Sequence, residues 1–151
     1  MWNLRNYHRG VDPWGLGLFL LIMLPNIVWS VLPVSNDVLR KVSATPLLDA
    51  AGHILQVLMV AALCAVVNRL REQPIRRGYR VGTAVCVVLY FTGWVAYYAG
   101  IANAVVILDL CLAPCGAFLL FALGCKNVVA LIPAGIFTAC PLISTVVNFI
   151  L

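Results

Sequence analysis

The sequence predicts an all-α fold, an integral membrane bundle of five transmembrane helices with the N-terminus inside and the C-terminus outside. Three observations lead there. Of 151 residues, 64% are hydrophobic and 10% charged, where soluble domains carry about 25% charged residues, and the mean hydropathy is +1.03. The apolar residues fall into five runs, each near the roughly 20 residues that a hydrocarbon core about 30 Å thick asks of a helix. The polar joints between runs are short, so 1–151 reads as a single transmembrane domain with spans near 14–32, 47–67, 81–99, 104–123 and 128–151.

The first thirteen residues are polar and basic through Arg5 and Arg9. The run that follows is longer than a signal-peptide core and no A-x-A site comes after it, so it reads as a first spanning helix. Pro25 interrupts that helix and Asn26 follows, which predicts a bend and a freed carbonyl. Val31 to Pro46 reads as a joint with a short VLRKV centre, either a brief interfacial helix or an irregular loop. Thr45 and Pro46 stand as N-cap and first residue of the second helix, positions that suit both residue types.

The joint Asn68 to Arg80 carries Arg69, Arg71, Arg76, Arg77 and Arg80 against a single Glu72, half of the ten basic residues of a chain with net charge +5. In a membrane protein such a cluster reads as a cytoplasmic loop that meets anionic headgroups or a protein partner, and not as a nucleic-acid surface. That choice puts Arg5, Arg9 and Lys126 inside as well and leaves Arg40 and Lys41 outside. Val81 to Leu123 is too long for one helix and breaks at Gly100 to Asn103; Pro133 and Pro141 interrupt the fifth span. The six cysteines show no CxxC spacing and read as apolar packing residues. Gly78-x-x-x-Gly82 and Ala96-x-x-x-Gly100 are candidate close-contact faces, within the chain or between copies in a homo-oligomer.

Within the second span, Asp49, His53 and Gln56 recur at i, i+4 and i+7, one stripe of a helix. At about 1.5 Å per residue, Asp49 lies roughly 3 Å below the outer boundary, His53 roughly 9 Å and Gln56 roughly 13 Å, with Asp109 roughly 8 Å and Asn26 roughly 9 Å deep. Tyr97, Tyr98, Asn103, Ser144, Thr145 and Asn148 share that half. Ionisable groups inside a span face protein or a wet cavity, so Asp109, His53, Gln56, Asn26, Asp49 and Tyr97 are the candidate ligand-binding residues. For Asp49 the first-turn position offers a purely structural role through the helix dipole, and for His53 an interhelical hydrogen bond does the same.

A metal site from His53, Asp49, Asp109 and Cys111 or Cys115 is chemically conceivable, but the spacing matches no zinc pattern. Nucleophile motifs, Walker loops and dinucleotide fingerprints are missing too, so no cofactor or catalytic residue is expected. The leading function class is therefore binding or transport of a small ligand or ion through an outer polar pocket. The alternatives are an accessory subunit of a larger membrane complex and, behind it, a metal-dependent membrane enzyme.

WGLGLFLLIMLPNIVW at Trp14 to Trp29, followed by Pro33, Asn36-Asp37, Leu39-Arg40, GWVAYYAGIAN and the final NFI, resembles a group of small multispanning bacterial membrane proteins that carries no assigned activity. The resemblance implies a bacterial cytoplasmic membrane and no particular chemistry. Five spans in this length also resemble the plan of the tryptophan-rich sensory (translocator) protein family. The likeness is one of plan: the first helix lacks that family's aromatic and proline pattern, and IPAGIF at Ile132 to Phe137 departs from its proline-aromatic motif.

Overall fold

A computed structural model describes residues 7–34, 37–40, 44–68 and 75–149. Its elements run β1 (Tyr7–Arg9), α1 (Pro13–Val31), a 3-10 turn (Val38–Arg40), α2 (Pro46–Ala65), β2 (Val66–Asn68), α3 (Arg77–Tyr98), α4 (Ala104–Gly124) and α5 (Val128–Phe149). All five α-helices are long and apolar enough to cross a membrane. Their outward surface is apolar, with Leu20, Leu24, Ile54, Val57, Val88 and Ile136 among the exposed side chains, as a lipid-facing surface requires and a soluble one avoids. The chain is a multi-pass membrane protein.

Two expectations about the joints are refined. The apolar Val66-Val67 does not extend α2 to the expected end near residue 67: it forms β2, which pairs antiparallel with β1 through Tyr7↔Asn68, His8↔Val67 and Arg9↔Val66. The VLRKV centre becomes a single 3-10 turn in its described part. The β pair marks one end of the bundle, called here the ribbon end; the α3–α4 turn at Gly100 marks the other, the hairpin end.

Each terminus of a helix leaves unpaired backbone groups that something must satisfy. Asp12 accepts from Trp14 N–H at 3.1 Å and starts α1; Asn103 accepts from Val106 N–H at 2.9 Å and starts α4. Thr45 occupies the cap position of α2 without capping it by its side chain. α3 ends with Gly100 at φ +88, its N–H bonded to Tyr97 O and that of Ile101 to Ala96 O, both at 3.0 Å, the left-handed closure that glycine allows. α4 closes in the same way with Lys126 at φ +53, a conformation that opposes a side chain. The Lys126 carbonyl is held there by Tyr7 Oη at 3.0 Å and Asn68 Nδ2 at 2.7 Å, which ties the ribbon to the α4–α5 turn.

The helices pack in the chain α3–α4–α5–α2, with α1 touching α2, α3 and α4 more lightly. The core includes Met59, Leu63, Tyr97, Ala117 and Ala130, all nearly or fully buried. Glycines bring α3 and α4 together: a Cβ on Gly124 would come within 3.0 Å of Tyr79 Cβ on α3 and 2.6 Å of Ile75 Cγ2 just before it, and one on Gly82 within 3.0 Å of Leu120. In a bilayer, where lipid tails are as apolar as leucine, close backbone approach of this kind is a main source of helix association.

Candidate functional site

Asp109 sits about one and a half turns into α4 and is half-buried. Its carboxylate lies against Gly93 of α3, where any Cβ would overlap Oδ2, and Leu110 fills the space beside it. Glycine at 93 is thus what lets a carboxylate enter the α3–α4 contact. Among the described residues no cation and no hydrogen-bond donor reaches the Asp109 side chain, and the single ion pair is Arg40–Asp37.

Asn26 and Tyr97 enter a different array, along α1 and α3. Asn26 Nδ2 donates to Tyr90 Oη at 2.8 Å. Tyr97 Oη donates to Asp37 Oδ1 at 2.8 Å and accepts from Leu39 N–H at 3.3 Å. Asp37 Oδ2 also accepts from Trp29 Nε1 and from Arg40 Nε, each at 2.8 Å. Arg40 in turn donates to Trp29 O at 2.7 Å and lies 4.8 Å over the Trp29 ring. Beneath them Trp94 packs edge-on against Tyr90 and Tyr97, with centroids 6.3 and 5.7 Å apart, and tilted against Trp29 at 6.2 Å. Asp37, Arg40, Trp29, Tyr90 and Trp94 were not among the sequence candidates. The signal available for Asp37 was its i, i+3 spacing to Arg40 in the joint after a Trp-containing helix end.

Asp49 enters a third arrangement, between α2 and α5. Ser144 Oγ donates to Asp49 Oδ1 at 2.6 Å and lies 3.0 Å from Thr45 Oγ1. Asn148 Nδ2 donates to Thr45 Oγ1 at 3.1 Å while its carbonyl oxygen accepts from Ala44 N–H at 2.6 Å. Thr45 fails to cap α2 because its hydroxyl is engaged across the interface. His53 is exposed on α2 and Gln56 half-buried, and neither side chain hydrogen-bonds a described residue.

The six candidates therefore fall in separate places. Asn26 and Tyr97 share the α1–α3 array, Asp49 binds α5, and Asp109 faces α3, whereas His53 and Gln56 lie on α2, which packs chiefly on α5 and α1. No group of three or more His, Cys, Asp or Glu side chains that could hold a metal occurs among the described residues, and all six cysteines are free.

The cavity at the ribbon end is separate from all of these. It holds about 660 Å³ between α1 and α3, with Trp14, Leu18 and Leu21 on one wall, Arg80, Thr83 and Val87 on the other, and Phe121 among its lining. Arg76, Arg77 and Arg80 are exposed at the start of α3; Arg69 and Arg71 lie outside the described residues. Comparison with protein families, with curated proteins and with solved structures gives no match to this chain.

Proposed function

We propose that the protein binds a small cation, the proton included, at Asp109 in the outward half of a bacterial cytoplasmic membrane. The observation that carries the reading is a half-buried carboxylate, in a span otherwise free of charge, that meets no cation and no donor among the described residues. An ionised carboxylate at such depth is costly unless something compensates it, and a proton or metal cation does so. The orientation is supported by charge: of the described basic residues, Arg9, Arg76, Arg77, Arg80 and Lys126 gather at the ribbon end and Arg40 alone at the hairpin end, so the ribbon end is cytoplasmic by the positive-inside rule. Proline inside α1, α4 and α5 (Pro25, Pro114, Pro133 and Pro141) adds loosened backbone of the kind that lines ion paths.

The test is thermal unfolding of the purified full chain in detergent, with rising Li⁺, Na⁺, K⁺ or NH₄⁺ and across pH. A ligand bound only to the folded state stabilises it by about 2.7 kcal/mol at a hundred times its Kd, a Tm rise of roughly 5–10 °C for a chain of this size. Wild type responds and Asp109→Asn does not, while the variant stays within about 2 °C of wild type in plain buffer. A wild type indifferent to every cation and to pH removes the reading and leaves the accessory subunit, whose polar groups are interhelical glue.

A further inference from the structure

The α1–α3 contact is closed at one end and open at the other. Toward the hairpin end it is fastened by Asn26–Tyr90, Trp29–Trp94 and the bond from Tyr98 Oη to Leu32 O. Toward the ribbon end the helices stand apart around the 660 Å³ cleft, a volume in the range of ligand sites at about 300–1,000 Å³. Its walls are almost wholly apolar, and at Gly17 a Cβ would meet nothing within 4 Å. Along α3 the lining runs from Tyr79 to Val88, about 13 Å of helix and so close to the depth of one leaflet's hydrocarbon.

The mouth of the cleft is positive. Arg80 belongs to its wall, Arg77 stands one turn earlier, and neither has an ion pair among the described residues. α3 begins here with no side-chain cap and no acidic residue in its first turn, so the positive end of its dipole adds to the two guanidinium groups. Trp14, 70% exposed, stands on the facing wall, where an indole suits the headgroup boundary. A slot that is apolar for the depth of a leaflet and cationic at its rim fits an occupant with an apolar chain and an anionic head.

We propose that this cleft holds an acyl chain of an anionic phospholipid, with the phosphate on Arg80 and Arg77. Juxtamembrane arginines attract anionic lipid, and basic pockets between helices retain its headgroup. The site is independent of Asp109, which lies toward the opposite end of the bundle.

Native mass spectrometry of the purified full chain, given phosphatidylglycerol or phosphatidylcholine of identical chains, tests it. Wild type retains phosphatidylglycerol about thirtyfold better, the effect of two arginines near the headgroup. Arg77→Gln with Arg80→Gln brings the two lipids to parity. Gly17→Leu, which fills the slot from α1, lowers retention of both at least tenfold at unchanged Tm; Ala84→Phe does the same from α3. Four results overturn the proposal. They are equal retention of the two lipids by wild type, retention untouched by both slot-filling variants, full displacement of the lipid by millimolar inorganic phosphate, and a wild-type dimer that Gly17→Leu dissociates. The last would give the cleft to a second copy of the chain.

Discussion

Asp37 and Asp109 are two carboxylates toward the same end of one small bundle, and the chain treats them oppositely. Asp37 lies in a joint, its side chain 10% exposed, and collects an indole N–H, a guanidinium and a phenol. Asp109 lies inside a helix, faces a glycine and collects nothing from the described residues. Burial of a charge is tolerable when hydrogen bonds and an opposite charge replace water. Asp37 meets both conditions within the chain and so acts as a fastening, joining α1, the 3-10 turn and α3. Among the described residues Asp109 meets neither, and it is this difference from Asp37 on which the proposal of a binding role for Asp109 rests.

The larger loss of stability is expected at Asp37. Asp37→Ala strands Trp29 Nε1 and Tyr97 Oη and leaves Arg40 without its partner, and losing a partly buried pair with its hydrogen bonds costs about 3 kcal/mol. The Tm then falls by roughly 6–12 °C, whereas Asp109→Asn changes it little. Equal losses from the two variants would erase the distinction and make Asp109 a structural residue too.

Next in size is the glycine that admits Asp109. Gly93→Ala places a methyl on the carboxylate and forces α3 and α4 to shift, with overpacking losses of about 2 kcal/mol. Shortening the opposing side chain removes the overlap, so Gly93→Ala with Asp109→Ala recovers at least half of that loss in a double-mutant cycle read by thermal unfolding. Strict additivity would mean that the two residues do not meet.

Five helices were readable in the sequence because a bilayer demands apolar runs of one length, and Gly100 and Asn103 announced the hairpin through residue types that few other positions favour. The pairing of helices was not, since a span that is apolar on every side carries no stripe to say which face meets which neighbour. Nothing local tells that Gly93 will lie opposite Asp109, or that Asp37 will meet Tyr97 sixty residues on. The ribbon escaped for a related reason: Val66-Val67 extends an apolar run, and a three-residue strand leaves no alternation to read. Position along each helix was therefore recoverable and azimuth was not. Asp109, His53 and Asp49 can share a level without sharing a site.

The smallest effect concerns an unpartnered group that carries no charge. The Thr83 hydroxyl oxygen is buried without a hydrogen-bond partner among the described residues, while Thr92, on the same helix, donates to Leu89 O at 2.7 Å. Replacing an unsatisfied hydroxyl by a methyl of the same shape removes a desolvation penalty and breaks no bond. Thr83→Val is thus expected to raise stability by about 1 kcal/mol, a Tm gain of roughly 2–4 °C, with Thr92→Val unchanged or slightly lower. Thr83 also lines the α1–α3 cleft. If Thr83→Val lowers the Tm instead, the hydroxyl is held by something other than the chain; a loss present in lipid-bound protein and abolished by delipidation identifies the cleft's occupant as that partner.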